Sequence, residues 1–194
     1  MGAITSNSAI YLTISDGKVC RRVQSPTTKS KERTNKEGRV VHEEFYAGWS
    51  GKIIDIKTRE SEYGKDWQIH LEDEDGIAIL SMKYSSGYAA SFLKALPNVD
   101  LTENVQLTPK MTVEGEKKKT TMFINQGGKS VKWAFTKENP NGIPSLKKIK
   151  IKGVEQWDDS DLMEFLEEMV KNQILPKVKP AEENDVQEDV QLPF

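Results

Sequence analysis

Apolar and polar residues alternate with the period of two of a half-buried strand along most of this chain. The helical period appears in only two places. Ala9 to Ser15 is dense in strand formers, Asp16-Gly17 is a tight-turn signal, and Lys18 to Val23 can pair back as a hairpin. Val40 to Ala47 and Trp49 to Thr58 read as strands separated or bent at Gly48. Trp67 to Leu71 and Ile77 to Tyr84 follow across the turn Glu72 to Gly76. Val105 to Leu107, Lys110 to Val113, Thr120 to Asn125 and Ser130 to Phe135 continue the pattern, with Gly127-Gly128 joining the last two. Between these runs, Ser25 to Gly38 is polar and lysine-rich, so residues 25–38 are expected to be a mobile loop.

Ser86 to Leu96 switches to helical spacing through Tyr88, Phe92, Ala95 and Leu96, and Pro97-Asn98 ends it. Asp158-Asp159-Ser160-Asp161 supplies capping and dipole-favouring groups. Leu162, Phe165, Leu166, Met169, Val170 and Ile174 then form one apolar stripe, predicting a helix over 160–175 that Pro176 and Pro180 stop. The fold expectation is mainly β: an OB-fold-like antiparallel barrel with an inserted helix, an N-terminal hairpin and a C-terminal amphipathic helix, over residues 1–178. Trp49–Thr58, Trp67–Leu71 and Ile77–Tyr84 would be its first three strands, and Thr120–Phe135 its last two. Another small antiparallel barrel or sandwich fits the same pattern.

Alternation also assigns faces. Ile54 and Ile56 are expected inward, with Ile53, Asp55, Lys57 and Arg59 outward. Trp67 shares a face with Ile69 and Leu71 and is open between core and platform. Around Gly127-Gly128, Ile124 would oppose Val131 and Met122 would oppose Trp133 on the apolar face, leaving Phe123 beside Lys132 on the other.

The chemistry-bearing residues argue against an enzyme. His42 and His70 lie far apart, no metal-ligand or phosphate-loop spacing occurs, and Gly127-Gly128-Lys129-Ser130 is explained by its turn. No cofactor or metal is expected. The lone Cys20 excludes an internal disulfide framework and suits a reducing compartment. No apolar run reaches the roughly 20 residues of a membrane span.

Cations interleaved with aromatics point instead to a single-stranded nucleic acid, whose bases stack and whose phosphates need counter-charge. Tyr46, Trp49, Lys52, Lys57, Arg59, Tyr63, Lys65 and Trp67 on the first barrel strands, with Lys117, Lys119, Phe123 and Lys132 on the hairpin, are the candidate contacts. Lys147 to Lys152 alternates lysine with isoleucine, a solvated strand face or a phosphate-tracking edge.

Charge is unevenly distributed. Residues 181–194 hold five carboxylates and no Lys or Arg, so the −2 of the whole chain becomes +3 once those five are set aside. That segment is too polar to fold alone, and 179–194 is expected to be a disordered acidic tail. It ends in Leu192-Pro193-Phe194, and this ending resembles the C-terminal tips of single-stranded DNA-binding proteins of bacteria and their phages. The resemblance implies that Leu192, Pro193 and Phe194 enter a pocket on a replication, recombination or repair protein, with Glu188 and Asp189 against its basic rim. Val190 and Gln191 interrupt the acids before the tip, which favours a phage-encoded or divergent member.

It also implies the cytoplasm of a bacterium or phage-infected host, single-stranded DNA as partner, and a tail that competes with DNA for the basic body. Self-association is left open, and no membrane partner is expected. The rival readings are an RNA-binding or strand-annealing OB protein and an adaptor acting through its C-terminal Phe.

Overall fold

The computed structural model describes residues 9–151 and 153–178, so the tail contacts expected at Glu188, Asp189, Leu192, Pro193 and Phe194 lie outside the described residues. The strongest alternation produces a meander of β5 (Trp49–Ser61), β6 (Gly64–Asp73) and β7 (Gly76–Lys83), paired antiparallel in register from Ile56↔Ile69 to Ile69↔Leu80. Trp67, Ile69, Leu71 and Leu80 of this meander are almost fully buried.

The N-terminal hairpin forms as expected, with β1 (Ile10–Ser15) and β2 (Lys18–Val23) joined at Asp16-Gly17. Both turn residues have positive φ, 46° and 75°, which matches the right-handed twist of the flanking strands. β1 then lies parallel to β7 through Ile10↔Ala78 and Leu12↔Leu80, which buries Leu12 and Val19 in the common core. β4 (Val40–Tyr46) pairs with β2, and β3 (Lys31–Thr34) pairs with β4. Part of the segment expected to be loop is therefore an edge strand. All four β3 residues are exposed, so no apolar alternation marks it, and the Arg33 guanidinium holds it by donating twice to Glu43, at 2.8 and 2.6 Å.

Beyond β5 the sheet continues through β8 (Asn104–Glu114), β9 (Lys117–Gln126) and the two-residue β10 (Lys129–Ser130). The complete order is β10-β9-β8-β5-β6-β7-β1-β2-β4-β3, mixed and open. Two expectations change here. The sheet does not close, because β1 occupies the side of β7 that a final barrel strand would need. The long final hairpin also turns at Gly115, one turn earlier than the Gly127-Gly128 hairpin read from sequence.

A bulge between Ile53 and Asp55 corrects the face assignment on β5. The extra residue puts Ile53 and Ile56 inward, 1% and 2% exposed, and leaves Ile54 half-buried.

α1 (Gly87–Ala95) is capped by the Ser86 hydroxyl, which accepts from the Ala89 N–H at 3.1 Å. Ala89, Phe92, Leu93 and Ala95 are buried against the sheet, and a 3-10 turn over Leu96–Asn98 carries the chain off Pro97. The Ser91 hydroxyl ties the helix to β9, accepting from Met122 N–H at 2.7 Å and donating to Gly87 O at 2.6 Å. Gly87 sits so close to β9 that a Cβ there would meet Thr120 O at 2.5 Å.

The second apolar stripe forms α2 (Ser160–Met169), a π-turn over Val170–Ile174 and α3 (Leu175–Val178). Leu162, Leu166, Met169, Val170 and Ile174 are buried as the stripe requires, with Phe165 half-buried. Two details depart from expectation. Asp158 Oδ1 accepts from Ser160 N–H, while Asp159 at the cap position makes no side-chain capping bond. Pro176 does not stop the helix at once: α3 runs on directly from the π-turn, whose shifted ladder, with Leu175 N–H bonding Val170 O, immediately precedes the proline. A separate ribbon of β11 (Lys147–Ile151) and β12 (Val154–Asp158) precedes α2.

Candidate nucleic-acid interface

The two groups of residues singled out from sequence meet different fates. On the meander, most are committed to the fold. Trp67 is 1% exposed and stacks on Tyr84 at 5.5 Å, so it is a core residue and not a platform for bases. Trp49 shares the inner face with Leu107, and Tyr46 meets its ring edge-on at 5.4 Å while donating to Glu44 Oε2 at 2.5 Å. Both are half-buried and offer no open ring face on the outer surface of β5.

Of the four cations nearby, Lys57 and Lys65 are neutralised within the fold. Lys57 pairs with Asp55 at 2.8 Å; Arg59 is registered opposite Asp66, but that carboxylate pairs with Lys83 at 3.0 Å. Lys65 reaches Glu167 at 2.7 Å and lies over the Tyr84 ring. The Tyr84 hydroxyl donates to the same Glu167 oxygen at 2.6 Å. Burial alone would raise the Glu167 carboxyl, but the bonds from Lys65 and Tyr84 outweigh it and hold it below its ordinary value. This cluster clamps α2 to the meander. Tyr63, 78% exposed in the β5–β6 turn, and Lys52, exposed between Glu72 and Asn104, remain on the surface.

The hairpin fares differently. Phe123 points outward at 39% exposure while its neighbours Met122 and Ile124 are 1% exposed. The expected Phe123–Lys132 pairing is absent, because β10 ends at Ser130. Val131 N–H still donates to Ile124 O at 2.8 Å, but Asn98 then bonds Lys132 O and Ala134 N–H bonds Lys94 O, which draws the chain away toward α1. The same departure lifts Trp133 out of the position opposite Met122. It is 43% exposed, a correction to its expected place in the core.

Phe123 instead lies opposite Thr108 of β8, and Lys110 Nζ lies over its ring at 5.4 Å. Along this outer face Lys110 is registered against Thr121, and Lys119 against Thr112, so neither faces a carboxylate across the ladder. Lys117 completes the row at the turn, where it opposes Glu114. Toward β5 the face continues with neutral Gln106 and Asn104.

Sequence reasoning missed Lys110, Lys94 and Trp157. The Glu114-Gly115-Glu116 turn signal would have registered Lys110 on the Phe123 face. Trp157 lies in Val154-Glu155-Gln156-Trp157-Asp158, which pairs with the alternating lysine–isoleucine run through Lys148↔Trp157.

Among the described residues, no three His, Cys, Asp or Glu side chains group as metal ligands, and no helix is long and apolar enough to cross a membrane. The chain matches no family model, no curated protein and no solved structure.

Proposed function

We propose that the protein binds single-stranded DNA with little sequence preference, using the outer face of the β8–β9 hairpin. The observation that carries this reading is Phe123: a large ring held open to solvent on a rigid strand, with an ammonium over it and two further lysines along the same strand face. A ring so placed stacks on any base, and a row of lysines neutralises phosphates without reading sequence. The strand order β9-β8-β5-β6-β7, with α1 between β7 and β8, supports an OB-like reading, namely an OB barrel opened at its last pairing. The acidic tail ending in Pro193-Phe194 supports a further role in recruiting replication, recombination or repair proteins.

Phe123→Ala removes a ring that packs only at the surface, so the fold should survive. Loss of one stacked base weakens binding about tenfold, from roughly 1–3 kcal/mol per base. Anisotropy titration of a labelled oligothymidylate checks this, with circular dichroism as the control for folding. Unchanged affinity in folded Phe123→Ala returns the residue to ordinary surface.

A further inference from the structure

Outside the hairpin face, a groove with buried Phe135 and Leu162 in its wall carries two exposed aromatic rings. It is about 940 Å³ in volume and opens between the C-terminal end of α1, the irregular segment 133–146, β12 and the start of α2. Two tryptophans line it, Trp133 and Trp157, 43% and 63% exposed. Each carries an ammonium near its ring: Lys94 Nζ at 5.8 Å from the Trp133 centroid and Lys148 Nζ at 5.2 Å from that of Trp157.

We infer that this groove is a second strand-binding site, in which Trp133 and Trp157 stack bases of the same single-stranded nucleic acid that crosses Phe123. The inference rests on the proposed function and names where the strand goes after leaving the hairpin. Continuity supports it: the segment that leaves β9 at Ile124 O runs through exposed Lys132 directly to Trp133, with Lys129 before it. The charge also fits a polyanion. Lys94 makes no ion pair among the described residues, and burial pushes its ammonium below the ordinary value, so a phosphate beside it would offset the lost hydration. Lys137 adds a cation to the lining against the one carboxylate, Glu138. Of the acids just outside, Asp161 is paired with Lys147, Asp158 is occupied by Ser160, and Glu155 stands 3.7 Å from Lys148 in a solvent-exposed pair that a phosphate can displace. An acidic peptide ending in an aromatic residue is the competing occupant, and the test includes it.

The experiment uses the full chain and reads tryptophan fluorescence and affinity together as oligothymidylate is added. Of the four tryptophans, Trp67 is buried and Trp49 half-buried, so quenching reports chiefly on Trp133 and Trp157. Wild type should quench on binding. Trp133→Leu with Trp157→Leu should abolish most of the quench and weaken binding about tenfold or more. Phe123→Ala should bind more weakly yet still quench at saturation. Lys148→Glu, on an exposed ribbon and remote from the core, should weaken binding and lower the salt slope by about 0.7 per lost phosphate contact.

Strong binding with an unchanged quench and affinity in the folded double variant overturns the groove while leaving the hairpin reading intact. No binding by wild type overturns both. If a synthetic peptide of residues 181–194 quenches the two tryptophans and oligothymidylate does not, the groove belongs to a protein segment and the inference fails.

Discussion

Single side chains decide which surfaces of this protein are free to bind. Lys57 and Lys65 look from sequence like phosphate contacts, yet one holds Asp55 and the other holds Glu167 across to α2. Lys110 and Lys119 face threonines and keep their charge for an outside partner. The same scale governs acid stability. Hydrogen bonds from Arg33 hold the Glu43 carboxyl below its ordinary 4.5, so the pair stabilises the fold above that pH. The contribution disappears as pH falls through the lower folded value. Melting followed between about pH 7 and pH 3 should therefore show a shallower acid-side decline in Arg33→Ala than in wild type. Identical slopes would mean that the pair adds nothing to folding. Gly87 is a second residue-scale test. Its Cβ would collide with the Thr120 backbone at 2.5 Å, so Gly87→Ala should lower stability by about 1–3 kcal/mol, read from the urea midpoint. A midpoint equal to wild type would show that α1 can shift off β9 at little cost.

At the level of elements, α2 is held by its apolar stripe and by the Glu167 clamp. Leu166 is 0% exposed at the centre of that stripe, so Leu166→Ala should cost about 2–5 kcal/mol. Glu167→Gln should cost less, since it removes charge but little volume; the ranking is measured by chemical denaturation of both variants. If Glu167→Gln proves the costlier, the clamp outweighs the packing. The meander strands, both long helical patterns and the first hairpin were legible in the sequence because each combines a clear period with a turn or capping residue. What was hidden depended on contacts between distant segments. The β5 bulge inverted the reading of Ile53 and Ile54, since one inserted residue exchanges the faces beyond it. β3 has no buried face to produce a pattern. Trp133 left the core because Lys94 O and Asn98 capture the backbone on either side of it, and no local signal announces either bond. Phe123 was found because simple alternation does hold between Met122 and Ile124.

For the molecule as a whole, the open sheet leaves two aromatic-and-lysine surfaces, the hairpin face and the groove beside α1. The body before the tail is mildly positive, and the acids are concentrated at the C-terminus. This separation leads us to propose that the tail competes with nucleic acid for the body at low ionic strength. Removing residues 181–194 should then tighten binding of oligothymidylate at low salt, with a smaller gain at high salt as screening weakens the tail's hold. Equal affinities of full-length and truncated protein at low salt would remove the competition. The central claim, that this fold binds single strands through phosphates and stacked bases, is tested most directly by titrating oligothymidylate and the matching duplex against the full chain over a range of salt. The result expected is binding of the single strand in preference to the duplex, with log affinity falling linearly with log salt. Failure to bind the single strand at low salt, or equal preference for duplex, would contradict it.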